Sequence, residues 1–161
     1  MFVSEPADTP CMVSQLHKRM KGEDGFTLIE LLVVILIIGI LAAIAIPSFI
    51  GQRTKAQDAN AKVQARTLQT AMESAATDNN GTYEEGGKAI TVVRLEELEQ
   101  SLKDHSQATP GVVKAEAKEF EVKSTDAATK DEFFIKRDSE GKVTRSCKTA
   151  GNGGCPPSGT W

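Results

Sequence analysis

Glu30 is the residue whose position asks for a chemical explanation. It stands one residue before LLVVILIIGILAAIAIPSFIG, Leu31 to Gly51, a run without a single charge. A carboxylate in the middle of a membrane span costs about 2.5–3.5 kcal/mol, and less near its end, so an acid kept there calls for a partner. A cut between Gly25 and Phe26 would create one: a free α-amine with an ordinary pKa of about 7.7–8.0, largely cationic at neutral pH. Glu30 would lie about one helical turn from that amine. Within one chain, however, the amine sits at the helix end, where the helix dipole already favours a carboxylate. The amine of a second chain is the alternative partner.

The cysteines are the second chemically distinctive group. Cys11 precedes the apolar run, in a segment expected to be removed, which leaves Cys147 and Cys155 as an even pair. An even pair in an exported chain is expected to form a disulfide. The alternatives are two free thiols or half a zinc site. Zinc is disfavoured because only His17 and His105 exist and neither stands at ligand spacing from the pair. No Ser-His-Asp spacing, glycine-rich phosphate loop or metal-ligand cluster is visible, so neither an enzyme nor a cofactor or metal protein is expected. Glu84, Glu85, Glu96, Glu97 and Glu99 read as solvated faces, and His105 as a surface residue.

These groups must be held by elements of very different texture. Hydrophobic residues make up 40% of the 161, charged residues 25%, and the formal charge is -3, which leaves no basic footprint for nucleic acid as the main partner. Nearly all the large aliphatic side chains lie between Leu28 and Ile50, a length of about 20 residues that suffices to cross a bilayer as a helix. Lys18, Arg19 and Lys21 before it and Arg53, Lys55 and Lys62 after it leave orientation open. The cysteine pair places the C-terminal part outside. From Gln52 to Thr77 good helix formers continue, and Ala56, Ala59, Val63, Leu68, Met72 and Ala75 or Ala76 predict a one-faced apolar stripe. Asp78, Asn79, Asn80 and Gly81 end it. One helix from about Phe26 to Thr77, roughly 80 Å long, is expected, with Gly39, Pro47 and Gly51 bending or loosening it.

Residues 82–110 read as a polar connection with a short helix on Leu95, Leu98 and Leu102. Phe120 and Val122, then Phe133 to Lys136, read as strands, and IKRDSEGKVTRS as a hairpin turning at Ser139, Glu140 and Gly141. The fold class is α+β: the long helix against a three- or four-stranded antiparallel sheet, closed by an irregular tail. Four regions result: a leader at 1–25, the apolar helix half at 26–51, the amphipathic half at 52–78, and the connection, sheet and tail at 79–161.

GFTLIE followed by the apolar run resembles the prepilin processing motif of type IV pilins and their pseudopilin relatives, and the similarity continues from Gly25 to about Tyr83 through Pro47 and NNGTY. The resemblance implies a pilin fold and a structural subunit of a surface filament. It implies a membrane peptidase that cuts after Gly25 and N-methylates Phe26, with Glu30 aligning incoming subunits as the apolar helices pack. The partners implied are further copies, the peptidase, a membrane assembly platform and, before assembly, lipid. Localisation follows: a single-pass inner-membrane protein, then a cell-surface fibre. Cys147 and Cys155 are similar to the disulfide-bounded loop of many pilins. Glu23 and Asp24 stand where the family often has a basic residue. The leader is also long, and a start at Met12 or Met20 would shorten it.

Three rivals are set against this reading. A pseudopilin of a type II secretion system shares the motif; the cysteine pair and NNGTY favour the pilus, and a calcium loop, which the carboxylate-free stretch after Cys147 makes poorly, would favour the pseudopilin. An ordinary signal peptide cut after Ala43-Ile44-Ala45 would release a soluble domain from Ile46, but the helical pattern runs through that cut. A bitopic anchor without assembly leaves Glu30 unexplained.

Overall fold

The structure, a computed structural model, describes residues 25–161. The leader expectations, including Cys11, Met12, His17 and Met20, lie outside the described residues. Two compact units are distinguished, one ending at Ile44 and one comprising Ala45–Trp161, and helix α1, Leu28–Asp78, contributes to both. The helix continues without interruption through Gly39, Pro47, Gly51 and the Ala43–Ala45 stretch. Its end follows the expected signal. Asn80 and Gly81 take positive φ of 56° and 81°, and the Gly81 N–H returns to the Ala76 carbonyl at 2.7 Å, satisfying a carbonyl that the helix leaves open.

In the first unit the large apolar side chains of α1 are exposed, Val33 by 44% and Leu28 by 80%. Among the described residues α1 is the one helix long and apolar enough to cross a membrane. A helix apolar on every side requires a non-aqueous surrounding.

In the second unit the chain continues through a two-residue-strand hairpin, β1 (Glu84–Glu85) and β2 (Lys88–Ala89), helix α2 (Val92–Leu98) and a 3-10 turn at Gln100–Lys103. Four antiparallel strands follow in sequence order: β3 (Ala108–Glu116), β4 (Glu119–Asp126), β5 (Glu132–Arg137) and β6 (Val143–Cys147). Phe120 faces Arg137 across β4 and β5, and Ile135 faces Arg145 across β5 and β6. Alternation of buried and part-exposed residues along β4 leaves Phe120, Val122, Ser124 and Asp126 on the inner face. Phe120 and Val122 join Leu68, Met72 and Ala65 of α1 and Leu95 and Leu102 in one core cluster, while the Ser124 hydroxyl donates to Gln64 Oε1 at 2.7 Å. A second cluster joins Ala61 to Phe133, Ala108 and Cys155. Tyr83 stacks edge-on against Phe120 at 4.8 Å.

Three expectations need correction. The buried stripe of α1 is Asp58, Ala61, Ala65, Leu68, Met72 and Ala75–Ala76, whereas Ala56, Ala59 and Val63 are exposed. The step from Val63 to Leu68 is five residues and turns about 140° off the face, while 61, 65, 68 and 72 keep helical spacing. Hydrophobicity alone chose Val63 because the true face is built of alanines and an acid. Second, residues 82–110 are more ordered than a polar connection. Gly86 and Gly87, both at positive φ, make the two-residue turn of β1–β2, and the leucine segment divides at Glu99 into α2 and the 3-10 turn. Third, β3 begins at Ala108 despite Pro110 and Gly111, tolerable because β3 is an outer strand.

Phe133 is fully buried between α1 and the tail. Phe133→Ala should cost about 3–5 kcal/mol, measured as a lowered denaturation midpoint of the detergent-solubilised chain, while the helix content from α1 below Ile44 persists.

Candidate functional site

The sequence-predicted site residues of the first unit lie at the start of α1. Gly25 and Phe26 precede the helix, and Phe26 is exposed. Thr27 and Glu30 form a reciprocal cap. The N–H and the hydroxyl of Thr27 each donate to Glu30 Oε2 at 2.9 Å, and the N–H of Glu30 donates to Thr27 Oγ1 at 3.3 Å. This is a capping box, in which a Thr and the Glu three residues on satisfy two of the donors that a helix start leaves open. Sequence reasoning sought a partner for Glu30 and passed over Thr27, although T-x-x-E ahead of an apolar run is the signature of this arrangement. Gly39 and Pro47 both lie inside α1, and a Cβ at Gly39 would meet nothing within 4 Å.

The second unit holds a polar clasp on the other half of the helix. Asp58 is fully buried. Its Oδ1 accepts from the Thr129 hydroxyl at 2.6 Å and its Oδ2 from the Gly154 N–H at 2.5 Å. One helical turn on, Lys62 Nζ donates to the Gly154 carbonyl at 2.6 Å. Both halves of the Gly154 residue are thereby held by an i, i+4 pair, and a Cβ on Gly154 would come within 2.8 Å of the Asp58 Cβ. Gly154 lies in the loop closed by the Cys147–Cys155 disulfide, whose Cα atoms are 6.0 Å apart. Closing so short a loop stabilises by roughly 2–3 kcal/mol in the chain-entropy account. Asp126, also buried, accepts from the N–H groups of Ala128 and Thr129 at 2.8 Å each and shapes the turn that brings Thr129 to Asp58. Asp131 lies beside Asp58 and accepts twice from the Asn152 amide, at 2.7 and 2.9 Å. Burial lowers the Lys62 pKa, an effect opposed by Asp58 and reinforced by Arg66. No sequence signal marks Asp58, since an acid on an amphipathic helix reads by default as solvated.

A further network ties sheet to helix near the top of α1. Glu73 accepts from the Tyr83 hydroxyl and from Arg137 Nη1, both at 2.9 Å. Burial first, then the Glu73 carboxylate, pushes the Tyr83 phenol up to about 12.

Comparisons with known proteins bear on the N-terminal part. The family described as the prokaryotic N-terminal methylation motif matches residues 20–46. The chain is similar to the type IV major pilin protein PilA of Myxococcus xanthus, 48% identical over 62 residues, which is 38% of this chain and 27% of that protein. It is 52% identical over 56 residues to a fimbrial protein of Pseudomonas aeruginosa, covering 35% of this chain and 36% of the relative. Similarity to the type II secretion system core protein G of Vibrio cholerae is 35% over 75 residues, 45% of this chain and 51% of the relative. The alignments thus span from about a quarter to about half of these relatives. No solved structure matches the chain.

The clasp generates a test. Burial, then the neighbouring Asp58 and Asp126, raises the Asp131 pKa, against the opposing effect of Asn152. An acid whose folded pKa is raised contributes most below its ordinary range, and that contribution is lost as pH rises through the raised value. Asp131→Asn keeps the group neutral and keeps an acceptor for Asn152. Its thermal midpoint should equal or exceed wild type at pH 7 and fall less than wild type between pH 4 and pH 7. A variant less stable than wild type at pH 7 would show that the charge is needed there.

Proposed function

We propose that this chain, whose N-terminal segment carries the methylation motif shared with type IV pilins and type II secretion core proteins G, is the structural subunit of a type IV pilus-like surface filament. The observation that carries the reading is the pairing, on one helix, of a capped N-terminal acid with an apolar surface exposed on all sides. A helix of that kind is inserted in a membrane before assembly and packs against copies of itself afterwards. Peptidase cleavage between Gly25 and Phe26 frees the new amine, which is then methylated, and Glu30 receives the amine of an incoming or neighbouring subunit. The second unit lies outside the inner membrane, where an oxidising environment maintains the Cys147–Cys155 bond. The membrane assembly platform is the partner that extracts the subunit. The role is structural rather than catalytic.

A pseudopilin of a type II secretion system is the second reading, favoured by the longer alignments with core protein G, which reach about half of that protein. Sheared surface fibres containing the chain distinguish the two: a pilus subunit is recovered in them at native expression, whereas loss of a pseudopilin leaves secreted proteins trapped in the periplasm.

The mature chain should begin at N-methylated Phe26. Intact-mass and N-terminal peptide analysis decides this, and a mature start at Ile46 would overturn the filament reading.

Glu30→Leu should insert into the membrane at least as well as wild type, because an apolar residue replaces an acid in an apolar stretch. It should then fail to join fibres, since an incoming amine would be left unpaired at a cost of about 3–5 kcal/mol, two to three decades in association. Membrane-fraction protein, N-terminal processing and sheared fibre are measured separately beside Glu30→Asp, which should be intermediate. Normal fibre yield from Glu30→Leu would remove the assembly role.

A further inference from the structure

Charge is distributed unevenly between the two edges of the four-stranded sheet. β6, an outer strand, is exposed from Val143 to Ser146. Residues 142–148 contain Lys142, Arg145 and Lys148 and no acid. Lys148 is paired with Glu132 at 2.6 Å. Arg145 is not part of any ion pair among the described residues, and its guanidinium lies 5.8 Å from the Trp161 ring. Arg66 approaches the same ring at 5.4 Å and Lys62 at 5.8 Å. Lys62 is occupied with the Gly154 carbonyl, whereas Arg66 and Arg145 are exposed. Two guanidiniums that enter no ion pair among the described residues, both over one indole in a chain of net negative charge, form a site for carboxylates.

The opposite edge carries the complement. β2 and α2 lie against β3, the other outer strand. There Arg94 is shared by Glu85 at 3.2 Å and Glu97 at 3.3 Å, and Lys88 stands opposite Glu85 in the β1–β2 register, so the four acids Glu84, Glu85, Glu97 and Glu99 outnumber these two cations. Glu85 and Glu97 have side chains 52% and 60% exposed, so both can reach a partner.

We propose that the Arg66–Arg145–Trp161 edge of one copy docks on the Glu85–Glu97 edge of the next. The occupant is a second copy of this chain because the complementary charge is present on the chain itself, on the opposite edge of the same sheet. Unlike surfaces meeting in this way form a heterologous contact, which propagates as an open helix when its rotation does not close. The inference rests on the filament reading and deepens it: the apolar helices supply cohesion, and the charged edges set the register between the outer units.

The test compares full-length variants in the native host. Arg66→Glu with Arg145→Glu places like charges across the contact, which is strongly unfavourable, and sheared fibre should fall by more than about tenfold. Glu85→Lys with Glu97→Lys should do the same. All four changes together should restore fibre to within about threefold of wild type, because the attraction is reinstated with its sign reversed. N-terminal processing and membrane-fraction level should match wild type throughout, which separates docking from folding. Wild type that is processed at Phe26 but forms no fibre would sink the filament reading itself. Fibre from either double variant within about twofold of wild type, or a fourfold variant no better than the doubles, would overturn the edge pairing alone. Loss of DNA or anionic polysaccharide binding by Arg66→Glu with Arg145→Glu, at unchanged fibre yield, would reassign the cationic edge to a different partner.

Discussion

One helix has to satisfy two solvents, and the remainder of the chain is arranged around that requirement. Up to Ile50 every side of α1 carries large aliphatic groups that are exposed. Beyond it, the same continuous backbone ladder offers one narrow face to a sheet. A break near Pro47 would leave carbonyls and N–H groups unsatisfied wherever that stretch faces lipid. Pro47 itself removes one donor, yet the helix runs through it. Continuity therefore ties the second unit's core to the element that is, in the proposed function, inserted and then assembled.

That dependence explains the composition of the buried face. Ala61, Ala65, Ala71, Ala75 and Ala76 have little apolar area of their own, and their small size lets the sheet approach closely while Leu68, Met72, Phe120, Phe133 and Ile135 fill the space between. Such a core is thin, and polar links extend it at both ends. Glu73 binds Tyr83 and Arg137 toward the C-terminal end of α1. Asp58 and Lys62 bind the Gly154 residue toward the other. A buried carboxylate is stabilising only while its partners stay in place. The Cys147–Cys155 bond keeps Gly154 where Asp58 needs it, so the disulfide and the buried acid act on the same loop.

Much of this was legible in the sequence, and what escaped it escaped for physical reasons. The uncharged run, the Asp78–Gly81 stop, the pair Phe120 and Val122, the Ser139–Gly141 turn and the cysteine pair each announce themselves through composition or period. The structure places Cys147 and Cys155 in a bond and the turn between β5 and β6. The upper stripe from Leu68 onward was readable because its residues are large. The lower stripe was not, because burial of Asp58 is decided by Thr129 and Gly154, 71 and 96 residues away. β3 was hidden by Pro110 and Gly111, whose local signals favour a turn and are overridden by position on the sheet edge. The Thr27 cap was legible but overlooked, since attention to the charge of Glu30 left its hydrogen-bonding neighbour aside.

The cap alters how Glu30 can act. Both Thr27 donors converge on Oε2, so within the described residues Oε1 has no hydrogen-bond partner and can receive an amine without the cap being broken. A carboxylate that had to abandon its helix start to greet a partner would lose a stabilising cap, worth about 1 kcal/mol, at each docking event. Held by Thr27, it keeps a fixed position and a free lone pair together. The cap also separates two contributions that charge alone would confuse. Glu30→Gln would retain an oxygen acceptor for Thr27 while removing the charge, so the helix start survives and only the attraction for an amine is lost. In the proposed docking, then, the threonine sets the geometry and the carboxylate supplies the field, and the two tasks fall on different atoms of one turn.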